Sequence, residues 1–372
     1  MNASQIRTEI LSGLTIAVSL VPESISFALL IGVAPQVGLW ASVIMAMSAA
    51  ILGGRPGLIS GSTGATAVIM AGLFAVHGSS ALYLGIVLAG IIQLIFWMTS
   101  AWRIFSKIPS PVISGFLISL AFMILTSQIK YVVAGSPTVP QIIITVLIIS
   151  LSSLAMLLSN RLTNIPSAIF AIAVGCLLGI PAGLSTVGTI STVSASIPTL
   201  AFPEFSIDLL IAALPYSIGM AIAGLTESLL TVDSAAKALN ENGSKSRETF
   251  AQGVGNVISG MFGTIGGCVL VGQTNLNIAA GSKYRLSGIT ASAGLILIIL
   301  GLAHYIEMIP LAGLIGVMLI VVYQTGDWAS LSTSKTSDLL IIAVTVLASL
   351  ITSNPAIGVI IGTLVHYCSK IY

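Results

Sequence analysis

The sequence predicts an all-α polytopic membrane protein, with fourteen transmembrane segments in two groups of seven. Three observations predict it. Of the 372 residues, 56% are hydrophobic and 6% charged, against about 25% charged in an ordinary soluble domain. Apolar runs recur along the whole chain, and about 20 such residues cross ~30 Å of hydrocarbon as a helix. Strand-period alternation is absent, which excludes an outer-membrane barrel reading. Within lipid each segment must satisfy its own backbone, so the runs are expected to be helices. The 37 glycines suit close helix packing, because lipid supplies no hydrophobic drive between helices.

The segments follow in order. The first, 11–34, comes after Arg7; it is too long, and carries Glu23, to be a cleaved signal. The second, 37–53, runs into the Gly- and Pro-rich stretch Gly53–Gly64, and the third, 63–77, emerges from it at half length. The fourth, 81–101, is followed by Arg103 and Lys107, and the fifth, 111–129, by Lys130. The sixth, 140–158, precedes Arg161, and the seventh is 165–180. Residues 1–180 thus form a first repeat, 181–206 a polar, extended outer connection, and 207–372 a second repeat. The eighth segment, 208–236, holds Glu227 and ends at the polar run Lys237–Arg247, read as a solvated loop. The ninth, 249–264, opens with Gln252 and Asn256, residues suited to helix–helix contacts. The tenth, 269–281, is another short helix, after Gly263–Cys268; then come 287–303, 309–325, 338–352 and 355–370.

Charge tests this layout. With the N-terminus cytoplasmic, Arg7, Arg55, Arg103, Lys107, Arg161, Lys237, Lys245, Arg247, Lys283, Arg285, Lys335 and Lys370 fall inside, and Lys130 alone outside. Twelve against one is a strong positive-inside bias, with both termini in the cytoplasm of a cell bearing this protein in its inner or plasma membrane. Seven is odd, so the halves have opposite orientations, the mark of an inverted repeat. The repeat is inferred from topology, not from sequence identity between halves. A net charge of +2 gives no sign of a nucleic-acid partner; the bilayer is the partner.

Two carboxylates lie deep in equivalent segments, Glu23 in the first and Glu227 in the eighth. A charge at bilayer depth costs at least ~2.5–3.5 kcal/mol on insertion scales, so both should face a polar interior. Thr15, Ser19, Glu23 and Ser26 share a helical stripe, as do Glu227, Thr231 and Ser234. Each acid either binds a proton or cation, or pins its helix to a neighbour. Pro22 removes a backbone donor beside Glu23 and predicts a kink.

The two Gly-rich breaks each leave a short helix, entered from opposite faces. Their N-termini should meet near mid-membrane, where free N–H groups and dipole ends create an anion site without a buried Lys or Arg. The plainer reading is that the glycines serve packing. Cys176, Cys268 and Cys368 read as small packing residues, and His77, His304 and His366 as interfacial ones. Neither H-E-x-x-H nor G-x-S-x-G occurs, so neither enzyme chemistry nor a cofactor is expected.

These motifs together resemble the membrane domain of the SulP family of inorganic anion transporters. The match rests on Ser12-Gly13-Leu14-Thr15-Ile16-Ala17-Val18, Val21-Pro22-Glu23-Ser24-Ile25-Ser26-Phe27-Ala28 and Gly53–Gly64. It continues through Ile108–Phe116, Glu227–Thr231, Ala251–Gly263 and Arg285–Ile289. The resemblance implies core and gate domains in a seven-plus-seven inverted repeat, alternating access of elevator type, and a homodimer. It puts substrate against Glu23, Ser62, Thr63, Gly64, Cys268, Val269 and Leu270, with Thr63 and Gly64 capping the third segment and Cys268 and Val269 the tenth. Glu227 and Thr231 take coupling-ion positions, with Glu23 as a second. Sodium-driven bicarbonate members commonly have Asp where Glu227 stands, and many relatives have Gln or an apolar residue at Glu23. Both departures favour H+ over Na+, because a desolvated carboxyl group can load a proton near neutral pH. The expected function is proton-coupled symport of bicarbonate or sulfate. Alternatives are a sodium-coupled bicarbonate symporter, a dicarboxylate or nucleobase permease of the same fold, and a passive channel. The family's usual cytoplasmic STAS domain does not occur before Tyr372.

Overall fold

Long apolar stretches with few helix breakers become helices, and in the computed structural model they do so almost wherever the sequence predicts a segment. The structure describes residues 1–133, 138–162, 166–200 and 202–369, without the side chains of 160–162. Lys370 and the side chain of Arg161, both used in the charge argument, lie outside what is described.

The helices are α1 (Ala3–Ile31), α2 (Pro35–Leu52), α3 (Gly64–Met98), α4 (Ser110–Val132), α5 (Val139–Leu162), α6 (Ser167–Gly179), α7 (Val187–Ile190) and α8 (Ile207–Leu239). They continue as α9 (Lys245–Met261), α10 (Val271–Ala279), α11 (Leu286–Glu307), α12 (Leu311–Thr325), α13 (Ser330–Thr333), α14 (Thr336–Thr352) and α15 (Pro355–Cys368). Among the described residues, eight helices are long and apolar enough to cross a bilayer. This is a polytopic helical membrane fold.

Local chemistry sets the boundaries. Asn2 and Gln5 form a reciprocal capping box at the start of α1, and Gly32, at φ 97°, ends it. Pro22 sits inside α1, which continues as helix on both sides, so the proline costs the Val18 carbonyl its amide without ending the helix. α3 is two helices joined at Gly78, whose φ of 77° and ψ of −168° are not helical. The break falls between the third and fourth predicted segments. α9 begins at Lys245, earlier than predicted, because the Ser244 hydroxyl accepts the Arg247 amide.

The helices pack as two bodies. In one, α3 lies against α8 and α9, while α1 and α2 pack on α11. In the other, α4, α5, α6, α12, α14 and α15 pack together. Small residues set some of these contacts: a Cβ on Gly175 of α6 would lie 2.6 Å from the Cα of Gly313 in α12. Two charges, buried Glu9 and half-buried Arg285, stitch the first body at its helix ends. The Glu9 carboxylate accepts the amides of Lys283, Tyr284 and Ser287 (2.6, 3.0 and 2.9 Å), capping α11 from another helix. Arg285 donates to the carbonyls of Ala50 and Gly53, both at 2.8 Å, at the end of α2.

The stretch 181–206 is more than an extended connection. It contains α7 and is tied down by bonds from Val187 N to Ile309 O (2.9 Å), Val193 N to Glu307 Oε1 (2.7 Å) and Trp40 Nε1 to Ser196 O (3.0 Å). The run Lys237–Arg247 is a loop with anchors, since exposed Glu241 pairs with the buried Arg55 guanidinium at 2.9 Å.

Candidate anion site

The two Gly-rich breaks meet as a two-stranded antiparallel ribbon. β1 (Ser60–Gly61) pairs with β2 (Cys268–Val269), Ser60 opposite Val269 and Gly61 opposite Cys268. The approach is so close that a Cβ on Gly267 would overlap the Gly61 carbonyl oxygen. α3 leaves one strand and α10 the other, and both helix starts border one cavity of about 730 Å³.

Thr63 is the N-cap of α3, and its Oγ1 accepts the Ala65 amide at 3.3 Å. The same hydroxyl donates to Glu227 Oε2 at 2.9 Å. The Cys268 thiol donates to that oxygen from the other break, at 3.1 Å. One carboxylate oxygen in α8 therefore ties together the approaches to both short helices. Val269 N donates to the Ser228 hydroxyl (3.1 Å), fixing β2 against α8. In α1, Glu23 Oε1 accepts the Gln273 side-chain amide at 2.7 Å.

Of the residues expected at the substrate, Glu23, Thr63, Gly64 and Leu270 border the cavity, as does Glu227. Three do not. Ser62 turns towards α2, where its amide donates to Ser42 Oγ (3.0 Å) and its hydroxyl pairs with the same oxygen (3.1 Å). Cys268 and Val269 are strand residues, and the cap of α10 is Leu270, two positions later than the cap position assigned to Cys268. A β pairing holds them extended, so they support the helix start without forming it. Thr231 is also buried behind the cavity, its hydroxyl donating to the Glu227 carbonyl at 2.8 Å.

Sequence reasoning missed Gln273 and Asp327. Gln273 is the third residue of α10, and the polar run Gln273, Thr274, Asn275 and Asn277 in so short a segment was the available signal. Asp327, which accepts the Ser114 hydroxyl at 2.6 Å, borders the cavity near the end of α12. Its position there depends on how α4 meets α12, which no local pattern encodes.

The first-turn amides of Val271, Gly272 and Gln273 have no acceptor within α10. They offer an anion N–H donors and the positive end of a helix dipole. No Lys or Arg is among the residues bordering the cavity, which include the acids Glu23, Glu227 and Asp327. Backbone amides must therefore supply the attraction for an anion. The opposite wall comes from the second body, through Ile124, Met156, Val317 and Val321. Gly272, Asn275, Ala279 and Gln324 are exposed, so the cavity opens to the outside along α10 and the end of α12.

Known proteins share this architecture. The chain is 36% identical to YbaR of Bacillus subtilis, over 98% of this chain and 78% of that one. It is 28% identical to the bicarbonate transporter BicA of Picosynechococcus sp., covering 88% of this chain and 63% of BicA. The transmembrane domain of a cyanobacterium bicarbonate transporter BicA superposes with a TM-score of 0.84 at 24% identity, covering 98% of both chains. The model of the sulfate permease family matches residues 6–345. With two crossed half-helices, an acid between them and this match over most of its length, the chain belongs to the sulfate permease family.

Proposed function

We propose that this chain is a proton-coupled symporter of a small inorganic anion of the bicarbonate or sulfate class, and not an enzyme. The observation that carries the proposal is Glu227, held by donors from both breaks beside a cavity that two helix starts border. An anion needs those free amides, and Glu227 provides a proton-accepting group within the same cavity. Relatives support the substrate class: YbaR carries a sulfate transporter's name and BicA a bicarbonate transporter's.

The cavity lies between the two bodies, which supports alternating access by an elevator-like shift of one against the other. Counting α3 as two segments, seven helices precede the 181–206 stretch and seven long or half-length ones follow it. That arrangement supports a fourteen-segment inverted repeat with both termini cytoplasmic, in the cell membrane, and the family's homodimer is the proposed assembly. Proton coupling is favoured over sodium because both contacts to Glu227 Oε2 come from hydrogen donors. One of them is a thiol, a soft atom poorly suited to a hard cation. The Thr231 hydroxyl is engaged with a backbone carbonyl.

The test is uptake of labelled sulfate, bicarbonate and fumarate into proteoliposomes under an imposed pH or sodium gradient. Uptake driven by inward protons, and no longer driven in Glu227→Gln, is the expected result. Sodium-driven uptake would reassign Glu227 and Thr231 as sodium ligands. Conductance retained in Glu227→Gln with coupling lost would indicate a channel, and no uptake of any anion would favour a nucleobase permease.

A further inference from the structure

Gln273 carries an unexplained atom. Its side chain is 6% exposed and borders the cavity. Its Nε2 donates to Glu23 Oε1 at 2.7 Å, while its Oε1 is buried with no hydrogen-bond partner. A buried polar atom left unpaired costs about 1–3 kcal/mol, so some other state of the site should satisfy it.

Side-chain chemistry identifies that state. An ionised Glu23 only accepts, so it must face the amide's NH2 end. The carbonyl end of Gln273, a first-turn residue of α10, is then left over. A protonated Glu23 gains an O–H donor, for which the carbonyl oxygen of Gln273 is the matching acceptor. Rotating the amide by half a turn about its last side-chain bond makes that bond at no cost in shape. The NH2 group then takes the place of the unpaired oxygen, adding N–H donors beside the first-turn amides of Val271 and Gly272.

We propose that Gln273 is a positioning residue that converts protonation of Glu23 into anion affinity: its amide shows the anion an oxygen when Glu23 is ionised and N–H donors when it is neutral. This rests on the proton-coupled reading above. The proton stays on Glu23 throughout, and no bond other than hydrogen bonds changes. The charged groups that share the cavity with Glu23 are acids, Glu227 from α8 and Asp327 beyond the end of α12. None can replace the amide as a donor to the anion.

The test is the KM for labelled sulfate and for labelled bicarbonate, counted as the ionised species, in proteoliposomes at pH 6.5 and 8. The wild-type KM should rise with pH, by about tenfold or more if one hydrogen bond to a charged group is exchanged. Glu23→Gln should give the low, acid-side KM at both pH values, and Gln273→Met the high, alkaline-side KM at both. The double variant should match Gln273→Met, because the acid acts through the amide. A Gln273→Met protein that keeps the wild-type pH dependence overturns the proposal while leaving proton coupling intact. If Gln273→Met does not transport, the thermal stabilisation given by sulfate to the purified protein at the two pH values decides. A shift independent of pH supports the relay, and a wild-type pH dependence overturns it. A wild-type protein with neither proton-driven uptake nor a pH-dependent KM overturns the relay together with the reading beneath it.

Discussion

The Thr63 hydroxyl donates to Glu227 across 2.9 Å, so the residue that caps α3 also holds the acid of α8. Helix start and carboxylate are fixed relative to one another by a single short side chain.

Thr63→Val keeps the shape and removes the bond. Anion uptake should fall at least tenfold, since a hydrogen bond to a charged group is worth ~1.5–3 kcal/mol. Thr63→Ser should restore most of it. Uptake kinetics on protein that still elutes as a single species by size exclusion checks both.

Gly78 joins the two parts of α3 at φ 77°, and a Cβ there would meet nothing within 4 Å. Gly78→Ala should therefore destabilise through backbone strain alone, by about 1–3 kcal/mol, since φ 77° with ψ −168° is open almost only to glycine. A lowered melting temperature with unchanged KM is the expected outcome. An unchanged melting temperature would contradict the left-handed backbone at this position.

Glu9→Gln keeps the size of the side chain but removes the charge that caps α11. Three amides lose a charged acceptor, which should cost roughly 1.5–3 kcal/mol of stability. Anion KM should be unaffected, because Glu9 is far along α1 from Glu23. Thermal unfolding in detergent, paired with uptake, separates the two effects.

The Arg55–Glu241 pair is unequal, its side chains being 2% and 59% exposed. Glu241→Ala should cost about 1.5–3 kcal/mol, because it takes the charged acceptor from a buried guanidinium. Arg55→Ala should cost clearly more, because it removes a packed side chain and its bond to the Pro56 carbonyl. Comparing the two melting temperatures measures the difference.

Depth and period are legible in the sequence alone. Glu23 and Glu227 stood out because acids in apolar segments are costly, and the Gly-rich breaks because they cannot continue a helix. Azimuth and long-range partnership were not legible. Ser62 and Thr63 are adjacent, yet one faces α2 and the other Glu227. Glu9 and Glu248 carry no sequence signal beyond a place near a segment end. Both are buried because each accepts backbone amides from a distant part of the chain, Glu248 from Gly54 at 2.7 Å. The sequence predicts the start of α10 at Val269, two residues early, because hydropathy does not distinguish an extended apolar residue from a helical one.

The ribbon of β1 and β2 also bears on the energetics of carriage. Two hydrogen-bonded strands with no room for a Cβ at Gly267 make the two helix starts one mechanical piece. In the elevator-like exchange proposed above, a seat carried whole would offer its cargo the same helix-start ligands on arrival as on departure. Whatever difference in affinity the two faces show would then come from the wall that stays behind, through Ile124, Met156, Val317 and Val321.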